Sequence, residues 1–243
     1  MELYETELYK EYTSNPNLIS KVCFFTMGLP ASGKTTYSKK ALEELGINPD
    51  NIIHLDPDDI LEFLREQPNS MNLNLGSLNK KSIIIASKIF NKIITSAEKY
   101  SVIYYGTGKN WSSYQTMINK AKANDYTTGL INVELDLETA IERNAKRNRS
   151  VGRNVITGIH SRLTTPVDKP KKHYGKTNME ILTELVNIVY TINTSGNSPV
   201  VLRTKGGKRK TKKTKNTKKT KKNTKKTKNT KKIKKNTKQT KNK

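Results

Sequence analysis

The sequence predicts an α/β fold in three layers, with helices on both faces of a mostly parallel sheet, spanning residues 21–203 and followed by a disordered basic tail. Three observations predict it. Apolar, β-rich runs alternate with helical segments along the span, the order that crossover connections produce. One strand-to-helix junction reads Gly28-Leu29-Pro30-Ala31-Ser32-Gly33-Lys34-Thr35, the spacing G-x-x-x-x-G-K-T, in which backbone N–H groups and a helix N-terminus converge on one point. Charge is also segregated. The chain carries +25 at pH 7, yet residues 203–243 hold 22 of the 46 Lys and Arg residues and no Asp or Glu, so residues 1–202 are nearly neutral.

Residues 1–20 read as an N-terminal extension. Val22-Cys23-Phe24-Phe25-Thr26-Met27 is apolar at both alternating sets of positions, as a strand buried on both faces requires. Residues 34–45 carry helix formers and stop at Gly46. A second strand follows at 51–55, a short helix at 58–65 and a polar loop at 67–76. Ile85/Ala86, Ile89/Phe90 and Ile93/Ile94 recur at four-residue spacing and predict a long helix over 78–99 with a core-facing stripe. Then come a strand at 102–105, a helix at 111–122, a strand at 129–135 and a helix at 137–146. A last helix is expected over 178–189. Strands at 189–192 and 200–202 around Ser195-Gly196-Asn197 close the domain as a hairpin. Residues 204–243, with Ile233 the sole apolar side chain, cannot offset the entropy lost on ordering and read as disordered.

The junction defines a nucleotide site of the P-loop NTPase/kinase fold. Gly28 and Gly33 admit backbone angles and close approach that a Cβ blocks. Lys34 is placed to reach the β- and γ-phosphates of ATP and the Thr35 hydroxyl to ligate Mg²⁺, with Thr36 in the same turn. The second strand ends in Asp56-Pro57-Asp58-Asp59, carboxylates at the edge of the sheet where the γ-phosphate is expected. A carboxylate there suits a base that takes a proton from an acceptor hydroxyl; alternatively, Asp56 or Asp58 caps the helix that follows.

The ordered set Gly28 to Thr35, Leu55-Asp56-Pro57-Asp58, Gly106-Thr107-Gly108-Lys109, Ile141-Glu142-Arg143 and Gly152-Arg153 resembles the zeta-toxin family of small-molecule kinases over about residues 20–202. The resemblance implies transfer of the ATP γ-phosphate to a hydroxyl of a nucleotide sugar. It assigns Asp58 as catalytic base, Asp56 and Thr107 to the substrate side, and Arg143 and Arg153 to the transferring phosphate, with Arg147 and Arg149 beside them. Planar guanidinium groups suit phosphoryl oxygens. Whether an antitoxin-like partner covers the ATP site is not readable from the residues. Two positions depart from the family pattern. Ile89 and Tyr105 stand where members active on sugar nucleotides carry carboxylates that orient the acceptor, which leaves the acceptor open.

Two other readings stand beside this one. Polynucleotide 5′-hydroxyl kinases resemble the chain at the loop and Asp58 but carry an arginine three residues later, where Leu61 stands. The tail, a polyelectrolyte without aromatic residues, suits nucleic acid through counterion release, and permits a non-catalytic nucleotide-binding module tethered by it. His54, His160 and His173 lack metal-site spacing. Cys23 is the single cysteine, so no internal disulfide forms and a buried, inert thiol is expected. With no apolar run of membrane-span length and an acidic opening unlike a signal peptide, the sequence reads as a soluble cytoplasmic protein.

Overall fold

Six strands form one sheet in the order β2-β3-β1-β4-β5-β6, and the first five are parallel. This is a computed structural model and describes residues 2–14, 21–68, 73–147, 150–196 and 200–205. The strands are β1 (Val22–Met27), β2 (Ile53–Leu55), β3 (Val102–Tyr104), β4 (Thr127–Glu134), β5 (Ile188–Asn193) and β6 (Val200–Lys205). The helices are α1 (Glu2–Tyr12), α2 (Lys34–Glu44), α3 (Pro57–Glu66), α4 (Leu75–Thr95), α5 (Trp111–Ala123), α6 (Leu137–Ala145), α7 (Arg153–Thr164) and α8 (Asn178–Leu185).

The expected double burial of β1 is what its side chains show. Cys23, Phe25 and Met27 join the larger core with residues of α3, α4, α5 and α8, whereas Phe24 lies on the other face with Ala41 and Leu42 of α2. Period-two alternation therefore splits one apolar run between two helical layers. Burial pushes the Cys23 thiol pKa well above its ordinary value, as an inert thiol requires. The stripe expected on the long helix fills the larger core, with Ile85, Ala86, Ile89, Phe90, Ile93 and Ile94 all buried.

Several boundaries differ from the sequence reading. Residues 49–51 form a 3₁₀ turn, because Pro49 presets φ and the Asn48 side chain accepts from the Asp50 N–H, so β2 begins only at Ile53. Helix α4 starts at Leu75 because Asn74 caps it through the Ser77 N–H, and it stops at Thr95, where Ser96 turns extended. Helix α8 ends at Leu185 rather than 189. Asn187 leaves the helix to pair with Thr128, accepting from its N–H and its hydroxyl at 3.0 Å each. The antiparallel closing hairpin is present, and β6 continues through Lys205. Helix α7 was not expected. Nor was α1 expected as an element; it places Leu8 in the larger core. Residues 206–243, the bulk of the basic tail, lie outside the described residues, as does Arg149.

Gly129, in the middle of β4, faces Phe24 across the β1–β4 pairing. A Cβ there would overlap the buried Phe24 ring. Overpacking of this kind costs about 1–3 kcal/mol. Gly129→Ala is accordingly expected to lower the urea midpoint by that free energy with the denaturant slope unchanged.

Candidate active site

The parallel order brings the ends of β1, β2, β3, β4 and β5 to one edge of the sheet, and β1, β2 and β3 there end in segments marked in the sequence. The loop after β1 begins at Gly28 with φ +140, where a Cβ would overlap the Val133 carbonyl oxygen, and ends at Gly33 with φ +81 as the N-cap of α2. Both positions require glycine, the first for close approach and the second for backbone angle. Ala31 also holds a positive φ of 62. No side chain caps α2, so its first N–H groups face the concavity of the loop. Ser32 is fully buried and its Oγ has no partner among the described residues. Thr35 and Thr36 are exposed on the first turn of α2, and Pro30 is partly exposed on the loop.

Lys34 turns its ammonium back onto the loop, donating to the carbonyls of Leu29 at 2.7 Å and Gly28 at 3.3 Å. Loss of hydration pushes its pKa down to about 8; the carboxylates of Asp56 and Asp58 oppose the shift and Arg147 adds to it. The lysine of the loop, the carboxylates of the β2–α3 corner and an arginine beyond α6 therefore share one electrostatic environment.

At that corner Asp56 is the N-cap of α3, and its Oδ1 accepts from the Asp58 N–H at 2.8 Å. The capping alternative raised for Asp56 or Asp58 thus falls to Asp56, which leaves the Asp58 carboxylate exposed on the first turn of α3. Burial pushes the Asp56 pKa up to about 6, the Asp58 N–H pulls it down, the neighbouring Asp58 and Asp59 charges add to the rise, and Lys34 opposes it.

The turn after β3 is tied directly to the loop. The Gly28 N–H donates to the Thr107 carbonyl at 3.2 Å. One residue earlier, the Thr26 hydroxyl donates to the Gly106 carbonyl at 3.1 Å and accepts from the Gly106 N–H at 3.0 Å. The Tyr114 hydroxyl of α5 donates to the Thr26 carbonyl at 3.0 Å. Buried Asn178, at the start of α8, donates to the carbonyls of Gly108 and Lys109. Thr26, Tyr114 and Asn178 were not singled out in the sequence; each is an ordinary polar residue in an apolar segment, and only the fold shows what it holds.

The arginines divide. Arg143, in the last turn of α6, donates to the Thr194 carbonyl at 2.8 Å, and the Thr194 hydroxyl is shared between the Glu134 carbonyl at 3.0 Å and the Ser32 carbonyl of the loop at 3.3 Å. One buried threonine therefore links α6 to the loop. Arg147 is exposed and lies within the field of Lys34. Arg153 opens α7 and pairs with Glu138 at 3.5 Å on the surface, a partner outside the loop. Leu29 packs with Ala140 of α6 and Ile156 and Ile159 of α7, seating the loop after β1 against both helices. A cavity of about 350 Å³ adjoins Gly28 and Leu29 and is lined in part by Asn132, Glu134, Asp136 and His160.

The departures from the family pattern have structural counterparts. Ile89 is wholly buried in the larger core, and Leu61 is buried there too. Tyr105 is buried against α2, where its hydroxyl meets His54 Nδ1 at 2.7 Å and Ser38 Oγ at 3.0 Å. His54 Nε2 donates to the Pro49 carbonyl at 2.9 Å, which fixes Nδ1 as the acceptor of the tyrosine proton. Burial pushes the His54 pKa down and that of Tyr105 up to about 12. Among the described residues no group of three or more His, Cys, Asp or Glu is arranged to hold a metal ion, and no helix is long and apolar enough to cross a membrane.

Sheet order, loop and crossover helices define a P-loop kinase-like α/β fold. The zeta toxin family model matches residues 6–182, and the chain belongs to that family. Solved structures share the fold at low identity. A chain of the PezAT chromosomal toxin–antitoxin system of Streptococcus pneumoniae matches with a TM-score of 0.55 at 15% identity, over 84% of this chain and 79% of that one. The AvrRxo1-ORF1:AvrRxo1-ORF2 complex with ATP matches with a TM-score of 0.59 at 12% identity, over 83% of this chain and 66% of the other. No curated protein matches the chain.

The raised Asp56 pKa makes stability depend on pH. A folded pKa of about 6 against an ordinary 3.8 means that the native state binds the proton more tightly, so this residue's contribution is full below about pH 4 and is lost as pH rises through 6. Asn caps a helix as well as Asp and carries no charge to desolvate. The melting temperature of Asp56→Asn relative to wild type is expected to rise between about pH 4 and 7 and to converge with wild type below pH 4.

Proposed function

We propose that this protein is an ATP-dependent phosphotransferase that moves the γ-phosphate to a hydroxyl of a small-molecule acceptor. The observation that carries the reading is the convergence of Lys34 and the Asp56–Asp58 corner at one sheet edge, close enough for the carboxylates to oppose the shift of the lysine pKa. The loop fits a nucleotide phosphate: Gly28 leaves room that a Cβ would fill, α2 has no side-chain cap, and the buried Ser32 hydroxyl lacks a partner. The AvrRxo1 complex that shares the fold was crystallised with ATP, which supports the same ligand here.

In this reading Gly28, Leu29, Pro30, Ala31, Ser32, Gly33, Lys34, Thr35 and Thr36 receive the ATP phosphates through backbone N–H groups, the lysine ammonium and the threonine hydroxyls. The Thr35 hydroxyl is the group placed to hold Mg²⁺, which when bound offsets phosphate charge. Asp58, exposed at the corner, takes the acceptor proton as the acceptor oxygen bonds to the γ-phosphorus and the bond to the β-phosphate oxygen breaks, releasing ADP. Asp56 and Thr107 orient the acceptor. Arg143, Arg147 and Arg153 neutralise the transferring group, with Arg153 leaving its exposed pairing to Glu138 to do so. With Ile89 and Tyr105 buried, the family's acceptor-orienting carboxylates have no counterpart at these positions. A UDP-sugar is the first acceptor to try and a polynucleotide 5′-hydroxyl the second, since the lysine-rich segment 204–243 suits a polyanion. An antitoxin-like protein over the ATP site is the partner that the PezAT likeness suggests.

The test is transfer of labelled γ-phosphate to a panel of UDP-sugars, nucleosides and 5′-hydroxyl oligonucleotides. Asp58→Asn is expected to retain ATP binding and to lose about 10²–10⁴ in turnover; an Asp58→Asn variant that transfers at the wild-type rate refutes the assignment. Binding also has a proton signature. Lys34 sits near pKa 8 before phosphate arrives, and a polyanion at the ammonium raises that value. ATP binding at pH 8 should therefore take up protons, seen as a dependence of calorimetric heat on buffer ionisation enthalpy that disappears in Lys34→Met.

A further inference from the structure

The turn after β3, residues 106–109, has no regular structure of its own, yet each of its four carbonyls is held from outside. Gly106 and Thr107 are held from the end of β1, by the Thr26 hydroxyl at 3.1 Å and the Gly28 N–H at 3.2 Å. Gly108 and Lys109 are both held by one side chain. Asn178, 2% exposed, donates from Nδ2 to the Gly108 carbonyl at 2.9 Å and to the Lys109 carbonyl at 3.1 Å, which uses both protons of its amide. The start of α8 does not call on that amide, because Thr177 and Glu180 close a capping box there. Gly108, at φ +74 and with Met27 where a Cβ would stand, brings no side chain with which to hold itself.

We propose that Asn178 is a positioning residue for the acceptor: it fixes the peptide between Gly108 and Lys109 and, through that peptide, the Thr107 hydroxyl. The peptide is planar and trans. Asn178 holds its carbonyl end at 2.9 Å, and its N–H end, on Lys109, donates to Thr107 Oγ1 at 3.4 Å. Two hydrogen bonds and one rigid plane therefore connect α8 to the hydroxyl. With Lys109 engaging its oxygen, Thr107 keeps its own O–H to donate to an acceptor oxygen. The segment that carries Asn178 is itself anchored. In the 3₁₀ turn Lys171–His173 just before α8, buried His173 packs edge to face on Trp111, with ring centroids 4.9 Å apart, and its Nε2 lies 3.3 Å from the Gln115 amide. Trp111 and Gln115 belong to α5, the helix into which the turn runs, so the holding segment and the held one are joined twice. A contact misplaced on the acceptor side costs transfer, while the bonds of Thr26 and Gly28 still tie the loop after β1 to Gly106 and Thr107. The role of Thr107 rests on the kinase reading given above; the hold of Asn178 on the turn does not.

The experiment uses the full-length chain with Asn178→Ala, which deletes both donors, and Asn178→Asp, which keeps the shape and suits a first helical turn but offers the two carbonyls only acceptors. Amide hydrogen exchange is followed by NMR at Lys109, with Gly28 and Gly106, whose bonds do not involve Asn178, as references. Steady-state kinetics are measured for ATP and for the member of the acceptor panel that the wild-type chain phosphorylates. In both variants Lys109 is expected to exchange roughly fivefold faster, the change that losing a neutral hydrogen bond allows, with Gly28 and Gly106 unchanged. The kcat/KM for the acceptor is expected to fall roughly tenfold while KM for ATP holds, which separates lost acceptor placement from lost nucleotide binding. Unchanged exchange at Lys109, acceleration that extends to Gly28 and Gly106, a rise in KM for ATP, or an intact kcat/KM for the acceptor each overturns the inference. If the wild-type chain phosphorylates nothing in the panel, the kinase reading falls and takes the role of Thr107 with it, and exchange at Lys109 still accepts or rejects the hold of Asn178 on the turn.

Discussion

The hydrogen bonds that join the end of β1 to the turn after β3 set everything at the candidate site. Thr26 exchanges two bonds with Gly106, and Gly28 donates to the Thr107 carbonyl. The phosphate loop and the Gly-Thr-Gly turn are consequently one rigid piece, although about 80 residues separate them. Buried hydrogen bonds of this kind add little net stability but are costly to leave unmade, so they dictate geometry more than energy. With Thr107 tied through its own carbonyl to the Gly28 N–H, the turn after β3 is held by the same bonds that shape the loop after β1.

Electrostatics at the edge run against the comfort of each group alone. Lys34 is charged at neutral pH despite losing hydration, and Asp56 is partly protonated near pH 6 because burial disfavours its charge. Each group partly relieves the other. Such displaced titrations collect where a protein handles charge for a purpose, and here they fall on the loop and corner that the sequence marked independently. The network of Ser38, Tyr105 and His54 has another character. It is partly buried, it ties β2 and the residue after β3 to α2, and it occupies with packing a position where the family pattern has a carboxylate.

Much of the fold was legible because β1, α4 and the loop carry strong local signals: double-sided apolarity, a four-residue stripe and a fixed glycine spacing. The elements that escaped lack them. Helix α7 has β-branched residues, Ser and an interior Gly158, all weak helix formers, and it holds through Ile156 and Ile159 packed on Leu29. Helix α1 is rich in Glu and Tyr with little amphipathic contrast, so its seat is visible only once α3 and α4 are in place. At the site, residues named for their chemistry were readable: Lys34, Thr35, Asp56, Asp58 and Thr107 all come to the same edge. Residues that hold them were not. Thr194 is one more threonine at the end of a strand until the fold sets it between Arg143 and Ser32. Arg153 shows the converse, a motif residue whose partner in the structure is the surface carboxylate of Glu138.

The seating of Leu29 among α6 and α7 has a bearing on how this chain can vary. Position 29 is formally a free position in the G-x-x-x-x-G-K-T pattern, open to any residue as far as phosphate is concerned. In this fold it is a core position shared by the loop and the two arginine-bearing helices. Its volume is therefore matched to those of Ala140, Ile156 and Ile159, and among homologues these four sites should drift together, a larger residue at one accompanied by a smaller one at another. The motif thus contains two kinds of constraint that a pattern cannot distinguish, one set by the ligand and one set by the neighbouring helices.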